Sequence, residues 1–242
     1  MREAFAFNPI GVVRSPFKEK FGIPRQPGLI AGAESVIELG ADPDFATAVR
    51  GMETFSHLWV IWVFHEHGAR KWKPSIRPPR LGGAKKVGVL SSRSPHRPNP
   101  IGLSAVKLVR IEYPKGKPVR LVVSGLDCLD GTPVLDLKPY LPYADRIEGA
   151  NAGWADEEIK RVPVKFLAAA LKSIKEKQAG RPENLRELIT GILELDPRPA
   201  FQKRKLPVAD PAAQGTRYGV LVLDWDVKWE IRDGQVVVLD VV

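Results

Sequence analysis

The sequence predicts a mainly β N-terminal barrel, outside the doubly wound nucleotide-binding class, followed by a small α+β C-terminal domain. Three observations carry that expectation. Up to about residue 145 the apolar runs are short, rich in β-branched residues and broken by Pro and Gly, with little helical spacing between them. No Gly-x-Gly-x-x-Gly follows the first strand, and no phosphate-loop Gly-Lys-Ser/Thr is present. Past a polar, glycine-bearing seam at residues 145–163, the apolar spacing becomes helical. The boundary falls between residues 146 and 147.

Strands are expected at residues 10–14 and 35–39, then at 58–64, a run that includes Trp59, Trp62 and Phe64. A short helix at 42–52 fits between them, with Pro43 suited to a first helical turn. Further strands follow at 86–90, 105–111 and 120–124. In the second domain, residues 164–177 carry Phe166, Leu167, Ala170, Leu171 and Ile174 at helical spacing, closed by Gly180. Residues 182–195 repeat the arrangement with Leu185, Leu188, Ile189 and Ile192. Strands at 218–223, 227–231 and 236–242 complete the domain, and Asp233-Gly234 supplies the last hairpin turn.

Composition narrows the class. Hydrophobic residues make up 44% and charged residues 27% of 242, an ordinary globular balance. The longest apolar run, 58–64, is far short of the roughly 20 residues of a membrane helix. The start, Met1-Arg2-Glu3-Ala4-Phe5, lacks the apolar core of a signal peptide, so the expected compartment is the cytoplasm. A single cysteine, Cys128, excludes an internal disulfide and a multi-cysteine metal site. Net charge is +9, yet residues 66–120 alone carry 14 Lys/Arg against 2 acids. The remainder of the chain is therefore acidic. A basic excess confined to one stretch suits a polyanion-binding face, and a solvated surface with cation tails along apolar neighbours is the plainer reading.

The candidate chemistry sits in stiff polar loops. Pro24-Arg25-Gln26-Pro27-Gly28 has prolines that lack donors and fix φ, so it presents Arg25 and Gln26 from a rigid loop or is simply a turn. Arg77-Pro78-Pro79-Arg80-Leu81-Gly82-Gly83 and the string from Arg93 through His96, Arg97 and Asn99 to Gly102 are stiffer. Arginines between prolines lose little freedom on binding phosphate or carboxylate. Asp127-Cys128-Leu129-Asp130 follows a strand and offers carboxylates for ribose hydroxyls or a sulfonium, or Asp127 merely caps a turn. His65-Glu66-His67 allows a metal-dependent hydrolase, since residues two apart on a strand share a face. The spacing is not that of a helical zinc site, and no metal is expected.

Together these motifs resemble the TsaA-like proteins of the TrmO family. The resemblance rests on residues 10–18, Pro24 to Gly28, Ser56-His57-Leu58-Trp59, Phe64-His65, Arg77 to Gly83, Arg93 to Gly102, residues 126–140, Asp196-Pro197-Arg198-Pro199-Ala200 and residues 225–229. It implies N6-methylation of threonylcarbamoyladenosine beside the tRNA anticodon, with S-adenosylmethionine bound by a β-barrel near a homodimer interface. By motif, it implies cofactor contacts at Pro24, Arg25, Gln26, His65, Glu66, Arg93, Leu103, Asp127, Cys128, Leu129 and Asp130. Arg77, Arg80 and Arg97 are assigned to RNA, and Asp196 and Arg198 are expected to close the site from the second domain as candidate catalytic residues. That domain is expected to serve RNA more than cofactor. Two positions depart from the family pattern: Glu66 stands where glutamine is common, and Phe201 where tyrosine is expected. A binding-only RNA module is the other rival, separable by calorimetry with S-adenosylmethionine.

Overall fold

The computed structural model describes residues 5–30, 32–67, 71–179 and 184–242. The expected helix stop at Gly180, the helix start at 182 and the first four residues lie outside them.

Six antiparallel strands close a barrel in the order β1-β2-β7-β6-β3-β8. They are β1 (Gly11–Arg14), β2 (Glu34–Leu39), β3 (His57–Val63), β6 (Ile101–Glu112), β7 (Arg120–Ser124) and β8 (Pro133–Pro139). A separate two-stranded ribbon, β4 (Ser75–Ile76) with β5 (Val87–Gly88), carries the basic loops. Alternation sets the interior: Gly102, Ser104, Val106 and Leu108 of β6 are buried while Ile101, Leu103 and Lys107 are exposed. Gly102 faces Trp62 in register, and a Cβ there would lie 2.3 Å from the indole. Only glycine leaves room for that ring.

Three expectations in this half need correction. Strand β8 was not among those expected, although it closes the barrel; the turn residues Gly131 to Pro133 hide its start. Its Val134 faces the core, and Asp136 and Lys138 pair with each other at 2.9 Å on the other face. The helix at 42–52 contracts to α1 (Phe45–Ala48) and a 3-10 turn at Met52–Thr54, because Gly51 takes a left-handed φ of 82°. Only Val87–Gly88 of 86–90 pairs as strand; Val89–Ser91 turns at once into a 3-10 helix.

A short helix, α2 (Pro142–Asp145), leads through the seam to the second unit. There β10 (Arg217–Val222), β11 (Trp225–Arg232), β12 (Gln235–Val241) and β9 (Val164–Phe166) form one sheet in that order. Helices α3 (Ala168–Gln178), α4 (Leu185–Glu194) and α5 (Ala200–Lys205) precede its hairpins. The expected helix at 164–177 therefore begins with a strand, β9, which lies parallel to β12. Val164 and Phe166 alternate against the second core, and the chain turns helical only after Leu167. Among the described residues no helix is long and apolar enough to cross a membrane.

The two halves interlock. Between β1 and β2 the chain leaves the barrel, and Phe17, Ile30 and Ala33 enter the core of the second unit beside Leu188, Ile189 and Val222. Phe17 bridges Val222, Leu223 N–H donates to the Pro16 carbonyl at 2.9 Å, and Leu221 N–H donates to Glu19 at 3.0 Å. At Gly191 of α4 a Cβ would stand 2.6 Å from Ile30. The loop bearing Arg25 and Gln26 is thus held on the barrel by the second unit's core.

Candidate active site at the loop junction

The Pro24–Gly28 segment docks on the end of β7. Gly28 N–H donates to the Gly125 carbonyl at 2.8 Å, and a Cβ on Gly125, whose φ is +85°, would come within 3.1 Å of the Gly28 backbone. That approach fixes Gln26 opposite the Arg93 loop, and Arg93 donates to Gln26 Oε1 at 2.7 Å. The charge of Arg93 in turn acts on Asp127.

Asp127 is held from inside the barrel. The Trp62 indole N–H donates to Ser104 Oγ at 3.0 Å, and the Ser104 hydroxyl donates to Asp127 Oδ1 at 2.5 Å. Burial raises the Asp127 pKa, and the hydrogen bonds and Arg93 pull it partly back. A carboxylate in that state gains from an arriving hydroxyl or cation. Ser104 was missed by sequence reasoning, although a serine at an inward strand position was a legible signal.

The neighbouring acid serves another end. Asp130 accepts from the Ser15 backbone N–H at 2.8 Å and pairs with Lys18 at 2.8 Å, tying β1 to the 126–132 turn. Cys128 is sealed in the core, burial raises its thiol pKa well above the usual value, and its carbonyl accepts from the Ser15 hydroxyl at 2.9 Å. The whole residue is buried, so its thiol is closed to a ligand. Leu129 is half-buried and its carbonyl accepts from Thr132. Leu103 lies exposed on the outer face of β6, opposite Ser104.

His65-Glu66-His67 corrects the expectation of a shared strand face: the three form a 3-10 turn after β3. His65 Nε2 lies 3.9 Å from exposed Glu66, while the His67 ring meets His96 edge-on at 4.2 Å. No group of three or more metal-ligating side chains is gathered among the described residues. His65 instead borders Gly131, where a Cβ would stand 4.0 Å from its Nε2.

A second cluster meets the Pro24–Gly28 loop from the other side. Pro24 is buried, and the exposed side chain of Arg25 feels the charge of Asp196; crowding around the guanidinium lowers its pKa. Asp196 has a left-handed φ of 50° and grips Arg198 bidentately, with both distances 2.8 Å. Arg198 spends its remaining terminal nitrogen on the Leu206 carbonyl at 3.0 Å and lies over the Tyr218 ring. Lys203, which no sequence signal marks, donates to the Leu195 carbonyl at 3.1 Å beside them.

The arginines expected to meet RNA occupy two neighbouring loops. Arg77 is exposed, Arg80 sits in the 3-10 turn Pro79–Leu81, and Arg97 turns back to the Ser92 carbonyl at 3.4 Å. Both loops are clasped: Arg204 of α5 donates to Gly82 O at 2.7 Å, and the Trp154 indole of the seam donates to Ser91 O at 3.0 Å.

Comparison with known proteins agrees with this architecture. Residues 12–146 match the family model described as the tRNA-methyltransferase O N-terminal domain, and residues 159–242 the TrmO C-terminal domain. An Escherichia coli protein named tRNA (adenine(37)-N6)-methyltransferase is 42% identical over 95% of this chain and 94% of its own. A Pseudomonas aeruginosa relative, 43% identical over 97% of this chain and 96% of its own, carries "S-adenosylmethionine-dependent methyltransferase" in its name. The crystal structure of TrmO from Pseudomonas aeruginosa superposes with a TM-score of 0.78 at 37% identity, covering 99% of this chain and 100% of that one.

Proposed function

The chain belongs to the tRNA-methyltransferase O family, and on that premise we propose that it methylates N6 of adenine 37 in tRNA, choosing the threonylcarbamoyl form of that adenosine. The observation that carries the reading is the pair of loops that face Arg93, steadied by Gln26, toward half-buried Asp127.

S-adenosylmethionine supplies a methyl group already activated on a sulfonium. The donor set fits such a molecule. Arg93 suits its carboxylate, and Asp127 suits ribose hydroxyls or the positive sulfur. Pro24, Arg25, His65, Glu66, Leu103, Cys128, Leu129 and Asp130 are the further cofactor contacts that the family resemblance implies. The chain's own work is then orientation and charge placement. An N6 lying between a purine and a carbonyl has an acidified proton, which lightens the demand for a base. Asp196 and Arg198 act as the brace that fixes the second unit against the Arg25 loop.

Arg77, Arg80 and Arg97, within the basic stretch, are assigned to the RNA backbone. A homodimer is the proposed assembly and the cytoplasm the proposed compartment. The test is transfer of labelled methyl from S-adenosylmethionine into total tRNA, with nucleoside analysis. Label in N6-methyl-threonylcarbamoyladenosine is expected. Label confined to another nucleoside would overturn the reading.

A further inference from the structure

Asp196 gathers more positive charge than it can neutralise. Arg198, with 1% of its side chain exposed, takes both carboxylate oxygens and spends its last terminal nitrogen on Leu206. The Asp196 charge is thereby matched one to one. Arg25 and Lys203 stand in the same field as a surplus of two cations. Lys203 commits one of three N–H donors, to Leu195 O, and Arg25 donates to no described residue.

We propose that Arg25 and Lys203, positioned by the Asp196–Arg198 pair, bind the carboxylate that the substrate base carries on its threonylcarbamoyl group. The inference rests on the substrate class argued above and names the residues that select it. Geometry supports it from two sides. Arg25 is the chain neighbour of Gln26, which holds Arg93, so the cluster begins one residue, about 3.8 Å along the backbone, from the cofactor side. The carboxylate of the modified base is separated from N6 by only a few bonds, so one base can reach both places. Charge supports it as well: burial, with lesser repulsion from Arg25 and Arg198, brings the Lys203 ammonium down to about 8, and an arriving anion relieves that repulsion. This moves Arg25 from the cofactor set to the substrate base and leaves Arg77, Arg80 and Arg97 for phosphate.

The test compares kcat/KM of the full-length protein on two anticodon stem-loop RNAs. One carries threonylcarbamoyladenosine; in the other its carboxylate is converted to the primary amide. The native protein is expected to prefer the carboxylate by about tenfold or more, because a charged hydrogen-bonding site left unpaired rejects the neutral analogue. Lys203→Gln should slow the carboxylate substrate and spare the amide, shrinking the preference to about threefold. Lys203→Arg should restore it. A preference unchanged in Lys203→Gln, or equal losses on both RNAs, overturns the assignment and marks the cluster as a phosphate contact or a structural brace. Failure of the native protein to methylate either RNA sinks the substrate reading as well, so the two failures are distinguishable.

Discussion

Arg93 and Gln26 stand 67 positions apart in sequence and meet at 2.7 Å, the guanidinium donating to the amide oxygen. This bond joins the loop after β5 to the excursion between β1 and β2, and it aims an arginine with donors to spare at the Asp127 side of the barrel. An arginine so held has lost much of its rotamer freedom before a ligand arrives, which is the physical content of preorganisation.

Arg93→Ala is therefore expected to weaken S-adenosylmethionine binding at least about tenfold, the size of one charge-assisted hydrogen bond. Arg93 is exposed, so the unfolding midpoint should stay put. Calorimetry and urea unfolding on the same preparation decide it. Gln26→Leu, which frees the guanidinium without removing it, should cost less. Unchanged affinity in Arg93→Ala removes this residue from the site.

Asp127 gives a pH signature. Burial raises its folded pKa above the unfolded value, so its ionised form costs stability at neutral pH, and that cost is relieved as pH falls into the window just above the ordinary carboxylate range. Cofactor affinity should run the other way, declining as pH drops through the same window while the carboxylate takes its proton. Asp127→Asn should flatten that arm of the affinity profile and leave stability at neutral pH equal or higher. A profile of unaltered shape in Asp127→Asn assigns the titration to another group.

Much of this site was legible, and the gaps have physical causes. Proline fixes φ and removes donors whatever surrounds it, so the stiff loops at Pro24, Pro78 and Pro98 announce themselves locally. Inward alternation along β6 likewise follows from the two-residue period, and with it the oddity of Ser104. Strand β8 stayed hidden because its charged face, Asp136 with Lys138, looks like loop until a neighbour supplies the ladder. Val164–Phe166 read as helix because apolar residues two and three apart satisfy either period over so short a span. Lys203 could not have been found: its meaning comes from Arg25, 178 positions away, and no local pattern encodes that approach.

The interlock of the two units changes what a truncation should do. If the second domain serves RNA more than cofactor, as the family resemblance implies, its removal should spare cofactor binding more than RNA methylation. Yet Phe17, Ile30 and Ala33 belong to the second core, and without it these apolar side chains face water at about 1.5–3 kcal/mol for each large one. A fragment ending near residue 158 is expected to lose cofactor affinity along with methylation, because the Pro24–Gly28 loop loses its far support. Calorimetry on the fragment checks this, and native-like affinity there would show that the barrel orders the loop alone.

Lys203 supplies the last expectation. The groups facing its ammonium are the Asp196 carboxylate, which attracts, the Arg25 and Arg198 guanidiniums, which repel, and the Leu195 carbonyl; the Tyr218 phenol reaches it only through Arg198. Burial and that repulsion bring its pKa to about 8 from an ordinary 10.5, whereas carboxylates and guanidiniums ordinarily change charge well outside this range. A depressed lysine costs stability while the folded chain keeps it charged, and the cost fades as pH rises from about 8 toward the unfolded value. Lys203→Met should consequently raise the urea midpoint near neutral pH, with the difference closing in more alkaline buffer. Substrate discrimination should move oppositely: the preference for the carboxylate-bearing RNA over its amide falls as pH rises through about 8 in the native protein. In Lys203→Arg, whose guanidinium keeps its charge, the preference should hold across that range. A native preference that is flat in pH would mean that the lysine does not carry the charge the carboxylate meets.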